Sequence, residues 1–344
     1  MITWVHNDRP KMPVVRINEL RLSGRFLVLE QAVADPSAPK PVYLYQRLAA
    51  ERINVAFLHL DFLASPRQIT CLVAPETFTC LGEVPGGNRG AQEPDLPSGA
   101  GLISAFPHHC KPALIGAIFC ALDEAGCRWH CMATSGSLLS IVADFSSQKP
   151  IAEAICRYVD LPEDKTWHCD GQAYDAIARS LKAAPETVAQ YAETRIKTYG
   201  IQVKTGLTIC TGYVGPAALA SWGRALAGSG FHFAYAAAAV TAQNGIKIDL
   251  VLDLKAQHTD VPETPALCRL ENRRNGEMIS FHGPHFGDRY GIADKALGCL
   301  ERSGVPVWMA GCVGATVSLV VPPDMGAKAA EALSNIFYTP SRDR

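Results

Sequence analysis

The sequence predicts an α+β fold made of four small units in two matched halves, with antiparallel sheets and helices on one face. Three observations carry this expectation. Segments of the first half reappear in the second at one constant offset of 178, as Leu48 with Leu226 and Leu114 with Ile292. Within each half the order strand, helix, strand, strand occurs twice, and its helix-to-strand junctions share an offset of 74 (Ile53 to Cys127, Phe231 to Val305). The chain is 48% hydrophobic and only 19% charged, enough apolar material for several cores.

The elements follow in chain order. A strand over 20–24 is matched by 201–206 at a larger offset than the rest, so the loop that follows is shorter in the second half. Next comes a helix ending at Arg52, in which Leu48 occupies the matched position of Leu226. It feeds an apolar strand over 55–61, whose mate runs over 233–238. The second unit opens on Leu102-Ile103-Ser104, passes Pro107-His108 and enters a helix with Leu114, Ile118 and Leu122. Its counterparts are Met278-Ile279-Ser280, Pro284-His285, and Ile292, Ala296 and Leu300. Apolar residues four apart form one buried stripe, and Gly126 and Gly304 suit left-handed helix stops. Two extended segments come next in each case (127–132 and 138–142; 305–310 and 316–321), then a helix near Ala154 and Ala332. The units are placed at 14–80, 101–160, 195–256 and 266–338, with a helical linker over 161–194. Gly- and Pro-rich 82–101 reads as a mobile loop.

Composition excludes some functions. A formal net charge of −1 with no Lys/Arg run gives no field for nucleic acid or an anionic membrane. No apolar run approaches the ~20 residues of a membrane span, and the segment 1–13 lacks the core of a signal peptide. The twelve cysteines are scattered, several within apolar runs, which fits buried thiols in a reducing cytoplasm.

A strand, a Gly-stopped helix and an apolar strand pair resemble the ACT domain, and most closely the paired ACT domains of the regulatory, C-terminal region of aspartate kinases. The resemblance is carried by Ile279-Ser280-Phe281-His282-Gly283, Tyr290-Gly291-Ile292-Ala293 and Ser303-Gly304-Val305-Pro306-Val307, and extends over 13–337. The leading segments 14–22, 195–203 and 266–270 resemble the crossing strands that tie such pairs. The resemblance implies ferredoxin-like βαββαβ units in two tandem pairs, an amino acid held where units meet, and allosteric control of an aspartate-pathway enzyme. Nothing in the sequence resembles the Lys-Phe-Gly-Gly opening of the kinase domain, so the expectation is a regulatory protein that is not an enzyme.

In such units the strand-to-helix loop offers backbone N–H groups and a helix N-terminus to a carboxylate. The corresponding loops nominate Ser37, Lys40, His108, His109, Ala113, Leu114, Gly215, Pro216, His285, Asp288, Arg289, Gly291 and Ile292 as ligand contacts. Plain turn chemistry accounts for the same Gly, Pro and His residues. The strands 55–61 and 233–238 lack the acidic and Thr-Ser-Glu-like grip of lysine- and threonine-sensing relatives. Tyr43, Tyr45 and Trp222 read as packing residues.

No catalytic constellation is legible: there is no Gly-x-x-x-x-Gly-Lys-Ser/Thr loop and no Gly-x-Ser-x-Gly elbow, and no cofactor is implied. Two other readings stay open. One is a structural subunit of an aspartate-kinase-type enzyme, with no ligand of its own. The other is a metal- or cysteine-dependent enzyme using His108-His109-Cys110 and Cys127 to Cys131, although strand alternation puts Cys131 and His130 on opposite faces. Uncovered sheet edges also allow a homodimer.

Overall fold

The computed structural model describes residues 12–33, 42–75, 99–162, 168–169, 196–243, 245–254, 270, 272–284, 286–287 and 289–340. The first stretch forms β1 (Val15–Arg16), β2 (Glu19–Leu22), β3 (Leu27–Val33), α1 (Leu44–Ala50), β4 (Phe57–Asp61) and β5 (Arg67–Val73). The second forms β6 (Ala100–Phe106), α2 (Pro112–Ala125), β7 (Trp129–Ser135), β8 (Leu138–Asp144), α3 (Gln148–Tyr158), β9 (Val159–Asp160) and β10 (His168–Cys169). The third gives β11 (Ile196–Lys197), β12 (Ile201–Val214), α4 (Leu219–Ala227), β13 (Phe233–Val240) and β14 (Ile246–Leu252). The last gives β15 (Asn272–His282), α5 (Ile292–Arg302), β16 (Met309–Val313), β17 (Thr316–Val321), α6 (Gly326–Ser334) and β18 (Phe337–Tyr338). The helical linker expected over 161–194 and the loop over 82–101 lie almost wholly outside the described residues.

Local chemistry explains the helix limits. Pro112 opens α2, where a missing N–H costs nothing, and Gly126 closes it at φ +57, its N–H returning to the Leu122 carbonyl. The stripe read from the sequence is buried, Leu114, Ile118 and Leu122 being at most 2% exposed.

Among the described residues, fourteen strands join one sheet in the order β10-β2-β6-β8-β7-β13-β14-β12-β15-β17-β16-β4-β5-β3. Every neighbouring pair is antiparallel except β10 on β2. The sheet curls back on itself: Phe26, between β2 and β3, exchanges both backbone hydrogen bonds with Ala100 of β6 at 2.7 and 2.8 Å. Opposite this closure, β12 lies between β14 and β15 and ties the last two strand groups together.

The joints between halves are equally regular. β4 pairs with β16, His59 facing Gly311, and β13 pairs with β7, Ala237 facing Ala133. His59 and Ala237 stand at matched positions of the two halves, as do Ala133 and Gly311. Strand pairing therefore joins the two halves in one sheet. The crossing strands use one edge of each strand group within a half, which leaves the other edge to pair across the halves.

Burial follows this topology. One outer core gathers α2, α3 and α4 around Ile118, Phe119, Ile155, Trp222 and Leu226. The other gathers α1, α5 and α6 around Leu48, Leu297, Leu300 and Leu333. A third core fills the inside of the curl, with Phe57, Leu72, Val142, Tyr235, Val251, Met278 and Val320 drawn from both halves.

Candidate functional site

Helices pair across the halves at two matched places, α2 with α4 and α1 with α5. At the α1–α5 junction lies a cleft with a cavity of about 30 Å³, lined by Tyr45, Asn54, Arg289, Gly291, Asp294 and Thr316 among others. Gly291 caps α5 at φ +76, a left-handed turn suited to glycine, and brings the loop over Ala49 of α1. Asn54 Nδ2 donates to the Gly287 carbonyl at 2.5 Å and fixes the loop from the α1 side.

The cleft carries charges of both signs, Arg289 and Asp294. Tyr45 is buried, and burial pushes its hydroxyl up, helped by Tyr43 and the charges of Glu301 and Asp294. Burial likewise raises the Asp294 carboxyl, against the pull of Arg302 and Lys295.

The nominated residues divide. Arg289, Gly291 and Ile292 line the cleft. His108, Ala113 and Leu114 stand at the start of α2, in the matched α2–α4 junction. His108 is 2% exposed there, its ring 5.0 Å from that of Phe233. His109 is exposed at φ +51, and Gly215 and Pro216 are exposed ahead of α4. Ser37, Lys40, His285 and Asp288 lie outside the described residues. Sequence reasoning missed Asp294 and assigned Tyr45 to packing alone.

A second polar cluster sits inside the curl. Lys247 Nζ on β14 contacts Asp61 of β4 and reaches Asp249 Oδ2 at 2.9 Å, while Thr211 Oγ1 donates to Asp249 Oδ1 at 2.6 Å. Asp61 Oδ1 also accepts from the backbone of Leu63 and Ala64, both at 3.0 Å. Beside it, His59 Nδ1 and the Tyr235 hydroxyl are 3.0 Å apart. Burial lowers Lys247, but Asp249 and Asp61 outweigh it and the ammonium is raised overall. Asp249 is raised by burial and by Asp61, against Lys247. In sequence, Lys247 and Asp249 alternate with Ile246, Ile248 and Leu250, the pattern of a solvated strand face. Only the curl turns that face inward.

At the far end of the curl the β7–β8 and β16–β17 turns meet, Ser135 Oγ donating to the Val313 carbonyl at 2.9 Å. An open hollow of about 610 Å³ lies there, bordered by Arg21, Ser104, Gln202, Ser280 and His282.

Among the described residues no three His, Cys, Asp or Glu side chains converge as metal ligands. Burial raises the thiols of Cys110 and Cys131, the reverse of what a nucleophilic cysteine needs. No helix among them is long and apolar enough to cross a membrane.

Comparison with solved structures places this geometry. An aspartate kinase from Synechocystis superposes on 94% of the chain with a TM-score of 0.67 at 14% identity. The fold resembles that of part of an aspartate kinase. The chain spans 56% of that protein's length. The regulatory subunit of aspartate kinase from Thermus thermophilus, in its ligand-free form, matches 40% of the chain over 97% of its own length, at 16% identity and a TM-score of 0.34. Aspartokinase III from E. coli, in complex with aspartate and ADP, matches 42% of the chain over 34% of its own, at 16% identity and a TM-score of 0.33. No family model and no curated relative matches. The expectation of a protein that is not an enzyme is overturned here, because the structure matched over nearly the whole chain belongs to a kinase.

Proposed function

We propose that the chain is the ligand-sensing region of an aspartate-kinase-type enzyme, and that it binds an amino acid in the α1–α5 cleft. In this reading four ACT-like units (14–80, 101–160, 195–256 and 266–338) form the ring, and ligand binding between two of them shifts their packing. One observation carries it: the cleft combines the N-terminus of α5, which no side chain caps, with the Arg289 side chain and the Asp294 carboxyl at a junction between units. Complementary charges of that kind suit a zwitterion. The likeness of fold to the Synechocystis enzyme supports the setting. The test is a thermal-shift screen against the twenty L-amino acids, since a ligand of the native state raises the melting temperature as its concentration exceeds Kd. One or two amino acids should give a concentration-dependent rise; no shift with any of them at millimolar concentration would overturn the reading. Aspartate-dependent ADP formation, followed with and without the bound amino acid, reads out the enzyme setting.

A further inference from the structure

We infer that this ring carries one ligand site rather than two, and that Tyr45 and Asp294 make it a pocket for an ammonium group. The inference rests on the reading of the α1–α5 cleft as an amino-acid site. The two helix junctions are matched position by position, and what stands at matched positions decides which one is open. At the constant offset of 178, Asp294 corresponds to Gly116 on α2, and Tyr45 corresponds to Gly223 on α4. Those two glycines meet backbone to backbone. A Cβ added to Gly116 would lie 2.3 Å from the Gly223 carbonyl oxygen, and one added to Gly223 2.7 Å from that of Gly116. No side chain of any size fits, so α2 and α4 are sealed. Phe233 fills the place held by Val55 at the other junction, and the His108 ring packs 5.0 Å from it.

At α1–α5 the same two positions hold a phenol and a carboxylate, which cannot interpenetrate as glycines do. They stand beside the cavity, and among the described residues neither the Tyr45 hydroxyl nor the Asp294 carboxyl has a hydrogen-bond or ion-pair partner. A cavity of about 30 Å³ has room for one or two water-sized groups. It therefore admits a compact head group and leaves the rest of the ligand toward Arg289 and solvent. A carboxylate head would face the Asp294 charge, whereas a primary ammonium satisfies both lone acceptors at once.

Isothermal titration of the full chain with each L-amino acid and its fully N-acetylated counterpart tests this. One site per chain is expected. Acetylation should abolish binding, and D294N should weaken it at least tenfold, with circular dichroism confirming that the variant is folded. Y45F should weaken it less. Two sites per chain, or binding indifferent to acetylation or to D294N, would overturn the inference while leaving the sensing reading intact. No binding by any amino acid would overturn both. Should D294N fail to fold, stoichiometry and acetylation decide the matter on the unaltered chain.

Discussion

Two hairpins hold matched places inside the curl yet carry different chemistry. On β4–β5 the inward residues are Phe57, His59 and Asp61, opposite Leu72, Thr70 and Gln68. On β13–β14 they are Tyr235, Ala237 and Ala239, opposite Val251, Asp249 and Lys247. The first hairpin places its acid and its imidazole on the strand that joins the other half. The second keeps alanines on that strand and sets its charges one strand further in. The difference is complementary: Lys247, paired with the small Ala239, contacts Asp61 of the opposite half. Two copies of the first half would bring two Asp61 residues together without a lysine, so the cluster favours joining unlike halves.

The largest expected effect comes from breaking that complementarity. Lys247→Met leaves Asp61 and Asp249 buried without their cation and should cost about 3–5 kcal/mol in urea unfolding. Adding Asp61→Asn and Asp249→Asn should return much of the loss; a single variant costing under about 1 kcal/mol would show the cluster to be incidental.

Acid sensitivity sharpens the comparison next, because only the first hairpin carries an inward imidazole. Burial, opposed by Asp61 and aided by Lys247, holds His59 at about 4. The folded state then binds fewer protons than the unfolded one, whose imidazole titrates near 6.5. The stability present above that value is lost as pH falls toward 4, by roughly 3 kcal/mol from His59 alone. His108, also held at about 4 chiefly by burial, adds to the loss. Urea midpoints compared at pH 7 and pH 4.5 should fall less steeply in His59→Gln than in the unaltered chain; parallel falls would remove His59 from the account.

The smallest effect is expected from Tyr235→Phe, which removes the hydroxyl facing His59 Nδ1 and should cost about 1 kcal/mol. A neutral result would mean that ring packing alone holds Tyr235 in place.

Much of this architecture was legible locally. The α2 stripe, its stop at Gly126 and the constant offset between halves are written in short-range pattern, and the pairing of His59 with Gly311 and of Ala237 with Ala133 keeps that offset. What escaped was non-local. Lys247 and Asp249 carry the alternation of an exposed face, and nothing near them in sequence says that the sheet closes over them. Asp294 drew no reading from the sequence, and Tyr45 read as packing. Their meaning came only from asking what stands at the matched positions, where glycine replaces both.

The closed strand circuit also governs how the chain can be made. β4 obtains its outer partner only when the segment 309–313 exists, and β7 must wait for β13. On the ribosome the first half therefore emerges with two strand edges unsatisfied and the apolar inner face around Phe57, Leu72 and Val142 uncovered. A nascent chain of this kind needs shelter until its C-terminal strands arrive, and a truncated first half is a natural client for chaperones or for aggregation.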